Sequence, residues 1–158
     1  MKFEEILKDL KSKIYKPVYF LMGEEPYYID KISDYVEKNI LNDAEKEFNQ
    51  TVLYGQDVTL VQIAAEAKRF PMMGDKVVVI IKEAQNIKEL SKIKAEDEEE
   101  GKKEEKKEKT KSALEAYVEN PLTSTILVFC YKYKTLDKRT SLAKTLRPAR
   151  FWRIFPRF

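Results

Sequence analysis

The 158-residue chain has no histidine and a single cysteine. Those shortages remove histidine acid–base catalysis, the Ser-His-Asp and Cys-His nucleophile systems and the usual zinc sites, so neither a metal nor another cofactor is expected. A disulfide within the chain is ruled out. Cys130 lies in the apolar run TILVFCY and reads as a small buried thiol, which suits a reducing compartment. No apolar run approaches the roughly 20 residues that span a bilayer. The opening MKFEEILKDLK mixes acids and bases along an amphipathic pattern and lacks a signal-peptide core. A cytoplasmic protein with no membrane partner is expected.

Apolar residues make up 43% of the chain, enough for one domain with a real core. The net charge of +3 invites a nucleic-acid reading, but four arginines fall in the last stretch, LRPARFWRIFPRF, which holds no acid; without them the balance is −1. The body is near neutral, and bulk charge does not argue for phosphate binding by it.

Hydrophobic periodicity alternates between two patterns. Phe3, Ile6, Leu7, Leu10 and Ile14 follow helical spacing up to Lys16-Pro17, and Val18 to Met22 reads as a short buried strand. Gly23-Glu24-Glu25-Pro26 then turns into a helix marked by Ile29, Ile32, Val36 and Ile40, with proline in the first turn. Thr51 to Tyr54 is a second strand closed by Gly55. Thr59 and Gln62 form a capping-box pattern for a helix whose inner face is Leu60, Ile63, Ala64 and Ala67, and which must stop near Phe70 because Pro71 follows. Gly74-Asp75 leads into Val77 to Ile81, the strongest strand signal present.

Residues 94–111 are almost wholly Lys and Glu, without an apolar face, and are expected to be a mobile insertion. Leu114, Tyr117 and Val118 resume a helix that ends at Asn120-Pro121. Thr125 to Phe129 is a further buried strand and Lys138 to Leu146 a last short helix. Apolar strands separated by helices predict an α/β fold with a parallel sheet covered on both faces.

The first strand and helix, PVYFLMGEEPYYIDK, stand where a P-loop enzyme carries GxxxxGK[ST], whose amides, lysine and hydroxyl hold phosphates and magnesium. Here Gly23 is alone, and Glu24 and Glu25 bring negative charge to the place of the phosphates, followed by Pro26. A second half-site would be an apolar strand ending in Asp-Glu. VVVIIKEA has the strand but carries Lys82 at the Asp position, which leaves Glu83 as a surface or cap residue rather than a catalytic base. Both halves point to a nucleotide-binding-type fold kept without ATP hydrolysis.

Three segments together, PVYFLMGEEPYYID, RFPMMGDKVVVIIKEAQN and TSTILVFCYKYKTLDKRTSLAK, resemble the delta subunit of the bacterial DNA polymerase III clamp loader. The family carries a G-E-[ED]-P turn in place of a P-loop, a Pro-[LM]-[FLM]-x-[DS]-[KR] segment before a buried strand and an L-D-[KR]-R segment after another. The resemblance spans roughly Phe3 to Thr145. It implies a RecA-like, AAA+-related clamp-binding domain over residues 1–145, without the lid and collar that follow in the family. Residues 146–158 do not resemble the family's continuation and read as a truncated or frameshifted end, or a genuine short tail.

The same resemblance implies a non-catalytic holoenzyme subunit that binds and opens the ring-shaped sliding clamp, the beta subunit, alongside gamma/tau and delta prime. It implies contact with DNA only through the assembled complex. The apolar wedge would be Met72 and Met73, where the commoner pair is Leu-Phe, with Phe70 and Pro71 beside them. Packing of FPMM over the sheet edge is the plainer reading of the residues alone. An alternative function is a nucleic-acid surface built from Lys132, Lys134, Lys138 and Arg139 with Tyr131 and Tyr133. Against it, YKYK can simply finish a strand with tyrosines inward and lysines in solvent.

Overall fold

The computed structural model describes residues 3–90, 112–134, 136, 140–146 and, for the backbone, 152–154. The charged segment 94–111, together with Lys138, Arg139 and most of the tail, lies outside the described residues. In chain order the elements are α1 (Phe3–Lys11), β1 (Val18–Gly23), α2 (Pro26–Asn39), α3 (Asp43–Asn49), β2 (Gln50–Tyr54), α4 (Leu60–Ala67), β3 (Val77–Lys82), α5 (Ala113–Glu119), β4 (Thr125–Lys132), α6 (Ser141–Thr145) and β5 (Trp152–Ile154). Short 3-10 turns follow β2 at Gly55–Asp57 and β3 at Ala84–Asn86.

The strands form one parallel sheet in the order β2-β3-β4-β1-β5. Parallel neighbours cannot be joined by a hairpin, so each connection crosses over and covers a face. The alternation of side chains then sorts the strand residues into two cores. Val18, Phe20 and Met22, with Val77, Val79, Ile81, Leu127, Phe129 and Tyr131, pack under α4, α5 and α6. Tyr19 and Leu21, with Val78, Ile80, Ile126, Val128 and Cys130, pack under α1 and α2. A strand buried on both sides has no use for polar residues, which is why β3 reads VVVIIK.

Several expected boundaries shift. β4 runs to Lys132, beyond Phe129, because its last residues pair with β1 as far as Gly23 opposite Lys132. α1 stops at Lys11, and Ile14 lies beyond it, exposed. α4 ends at Ala67 rather than near Phe70, and the Ala67 carbonyl is taken in the interior by the Thr125 hydroxyl (2.8 Å) and the Tyr117 hydroxyl (3.4 Å). α6 begins at Ser141 behind an N-cap at Thr140, whose hydroxyl accepts from the Ala143 amide at 3.2 Å. Two elements were not expected from the sequence: α3, capped by Asn42, and β5, which pairs in parallel with Tyr19 to Leu21 of β1.

Candidate functional site

Two regions gather the residues singled out in the sequence. The first is the crevice beyond the carboxyl ends of β1, β3 and β4. The sheet order places β1 between β4 and β5, so connections leave β1 and β4 in opposite directions, the kind of switch point where α/β proteins bind ligands. Gly23 is buried at the end of β1, Glu24 is exposed, and Glu25 and Pro26 are half-buried. The Glu25 carboxylate caps α2 by accepting from the Tyr27 amide at 3.0 Å, so the helix N-terminus that would face a phosphate already holds an anion of its own.

Lys132 stands at the end of β4, opposite Gly23. Its ammonium lies 2.8 Å from Asp30 on α2 and 3.4 Å from Glu83, just past β3, and its backbone N–H donates to Gln85 Oε1 at 3.1 Å. Burial pulls the Lys132 pKa down, but the hydrogen bond and charge of Asp30, with Glu83 behind them, outweigh it and leave the pKa raised. Lys82 is held likewise by Glu37 at 3.3 Å; burial lowers its pKa, the Glu37 contact raises it further, and the result is again upward. Leu136 is buried nearby and its N–H donates to Met22 Sδ at 3.4 Å. Both lysines are thus engaged by carboxylates of the chain itself. Glu83 adopts a left-handed backbone (φ 54), which swings the chain out of β3. Among the described residues no group of three or more acidic or thiol side chains is placed to hold a metal.

The aromatic-basic segment does not form the alternating end that its sequence suggests. Tyr131 points into the core, as expected, but Lys132 is ion-paired rather than free in solvent, and Tyr133 is exposed at φ 71, not inward. Lys134 lies over the Tyr131 ring at 5.8 Å. Lys138 and Arg139, the other members of that group, lie outside the described residues.

The second region is the connection between α4 and β3, residues 68–76. Its apolar side chains are not packed over the sheet edge: Phe70 is 77% exposed, Met72 71% and Met73 51%, with Pro71 half-buried between them. The backbone beneath is tied down. Arg69 donates to the Phe48 carbonyl at 2.7 Å and to Glu66 at 2.9 Å, the Met72 amide donates to Asn49 Oδ1 at 2.9 Å, and Asn49 Nδ2 donates to the Met73 carbonyl. Gly74 turns the chain at φ 77, a left-handed conformation that side chains disfavour. Val77 N–H, at the start of β3, donates to the Ser124 carbonyl at 2.8 Å. Asn49 and Phe48, on α3, were not foreseen; both sit on the helix that the sequence reading passed over.

The comparisons with known proteins decide what these regions belong to. The family model for "DNA polymerase III, delta subunit" matches residues 19–152. This chain belongs to the DNA polymerase III delta subunit family. The DNA polymerase III subunit delta of Bacillus subtilis is 31% identical over 148 residues, 93% of this chain and 39% of that protein. Among solved structures, the Bacillus subtilis DNA clamp loader delta protein matches with a TM-score of 0.74 at 28% identity, over 98% of this chain and 42% of the other. A DNA polymerase III gamma subunit-related protein from Thermotoga maritima matches with a TM-score of 0.53 at 15% identity, over 99% of this chain and 46% of the other, a likeness of fold alone. The AAA+-related fold expected from the sequence is the one observed. The chain spans about two fifths of the length of the delta proteins it matches.

Proposed function

We propose that this chain is the part of a delta subunit that grips the sliding clamp, with Met72 and Met73 as an apolar wedge flanked by Phe70 and Pro71, and that it helps to open the ring without hydrolysing ATP. One observation carries the reading: large apolar side chains stand in solvent on a backbone that is held in place beneath them. A soluble domain keeps such a group exposed when a partner covers it. Methionine suits an apolar pocket because its unbranched, polarisable side chain adapts to the walls it meets. The crevice at the sheet switch point supports the absence of hydrolysis, since Glu25 occupies the helix N-terminus and Lys132 is bound by Asp30 and Glu83. Gamma/tau and delta prime would be the other partners of the full-length subunit in the cytoplasm, and DNA would be met through the assembled complex.

The nucleic-acid alternative is weakened by the engagement of Lys132. The test is calorimetric titration of this chain into its cognate clamp, with and without ATP, beside the variant M72A/M73A. Binding should be indifferent to ATP and fall on the order of 30-fold or more in the variant, as loss of a central anchor does. Because both side chains are exposed, the melting temperature of the variant should stay that of the parent. A folded parent chain that fails to bind the clamp overturns the proposal.

A further inference from the structure

We infer that Asn49 is the positioning residue for the wedge: a buried side-chain amide on α3 that sets the shape of the Met72-Met73 backbone before any partner arrives. The inference rests on the clamp-binding reading above. It starts from a difficulty. A loop is ordered either by burying its side chains or by tying its backbone, and residues 70–73 do little of the first, since Phe70, Met72 and Met73 are all exposed. The order has to come from polar contacts.

Asn49 supplies the central ones. It is 0% exposed, and its single amide group meets the loop twice, Oδ1 accepting from the Met72 N–H at 2.9 Å and Nδ2 donating to the Met73 carbonyl. It therefore treats the loop as a neighbouring strand would, one acceptor and one donor in register with adjacent residues. Few side chains can replace it. Aspartate keeps the length and the acceptor but loses the donor, glutamine adds a methylene, and leucine loses both contacts while leaving the Met72 N–H and Met73 carbonyl without partners. The clasp is continued on either side by the Arg69 bond to the Phe48 carbonyl and by the left-handed turn at Gly74. The Asn49 bonds and the Arg69 bond all fall on the end of α3, so this short helix works as the loop's backing.

The consequence is preorganisation. Ordering that is completed on folding need not be supplied from binding energy, so the wedge presents its methionines in one arrangement. The experiment compares the parent chain, N49D and G74A in two readouts: hydrogen exchange at the Met72 amide, and titration into the sliding clamp. N49D is expected to speed Met72 exchange about tenfold or more while protection of β3 is kept, and to weaken clamp binding by a similar factor. G74A, whose Cβ would be strained at φ 77 and would displace the Glu45 carboxylate that now lies 2.1 Å from its position, without entering either core, should shift both readouts in the same direction and serves if N49D does not fold. Unchanged affinity in folded variants overturns the inference, whether or not exchange has quickened. Failure of the parent chain to bind is a separate result, visible without any variant, and removes the clamp reading on which the inference rests.

Discussion

Cys130 sits on β4 among Tyr19, Leu21, Val78, Ile80 and Val128, and burial pushes its thiol up to about 12, against the smaller opposing effects of the Ser33 hydrogen bond and the Lys132 charge. Tyr19, in the same core, is also driven up to about 12, again by burial first, although the Lys16 N–H bonds its hydroxyl at 2.9 Å. An acid that ionises later in the folded state than in the unfolded one stabilises the fold fully below its unfolded pKa. That contribution is lost as pH rises from the ordinary values of 9.0 and 10.0 toward about 12. The urea midpoint should therefore hold steady from neutral pH to about 9 and decline above it. A C130A variant with an identical decline would clear the thiol of any part in it. For the same reason iodoacetamide should reach Cys130 only through opening of the fold, so its labelling rate at neutral pH should follow the global stability.

The residues also differ in how far the sequence could announce them. Met72 and Met73 stood out only through the resemblance to the delta family, since an apolar FPMM between a helix and a core strand reads by itself as packing over the sheet edge. Asn49 gave no signal, since a single buried amide has no periodicity, and its value lies in two backbone partners 23 and 24 residues away. Lys132 was weighed as part of a basic group because sequence alone could not show Asp30 and Glu83 converging on it from two other elements.

Among the elements, α4 was legible at its N-terminus. The Thr59 hydroxyl accepts from the Gln62 amide at 3.2 Å and the Gln62 side chain accepts from the Thr59 amide at 2.8 Å, as its spacing implied. A T59A variant should lose about 1 kcal/mol in urea unfolding. The helix that escaped notice, α3, carries the same device: Asn42 and Glu45 exchange bonds of 2.8 Å and 3.3 Å. It was missed because DAEKEFN has no apolar face and its one buried residue is Asn49. A search for caps ahead of periodicity would have found it.

Gly55 shows what joins two such elements. A Cβ there would stand 2.1 Å from the Glu83 carbonyl oxygen and 3.0 Å from its carbon, so the turn after β2 can approach the turn after β3 only through glycine. Backbone rather than a flexible side chain blocks the space. G55A should destabilise the chain by roughly 1–3 kcal/mol, read from the shift of the urea midpoint at constant slope.

Across the whole molecule, the parallel order of apolar strands and helices was readable because β-branched runs such as Val77 to Ile81 have no other comfortable home. The strand at Trp152–Ile154 was not, since RPARFWRIFPRF shows little alternation and only three of its residues pair with β1. The Glu25 cap and the Lys132 ion pairs have a consequence at this level. Millimolar Mg-ATP should leave the melting temperature of this chain unchanged, because a ligand stabilises a fold only in proportion to its binding. A clear upward shift would show that the Lys132 contacts yield to nucleotide.

The sheet divides its described strand residues between two cores on its opposite faces. The helix before residues 68–76, α4, belongs to one of them, while α1 and α2 belong to the other. Substitutions on opposite faces, such as I63V and I32V, share no packing partners and should add in their effects on stability. If residues 70–73 hold a clamp as proposed, the outer face of α1, packed in the opposite core from α4, can be recut for a different neighbour while that grip is left as it is.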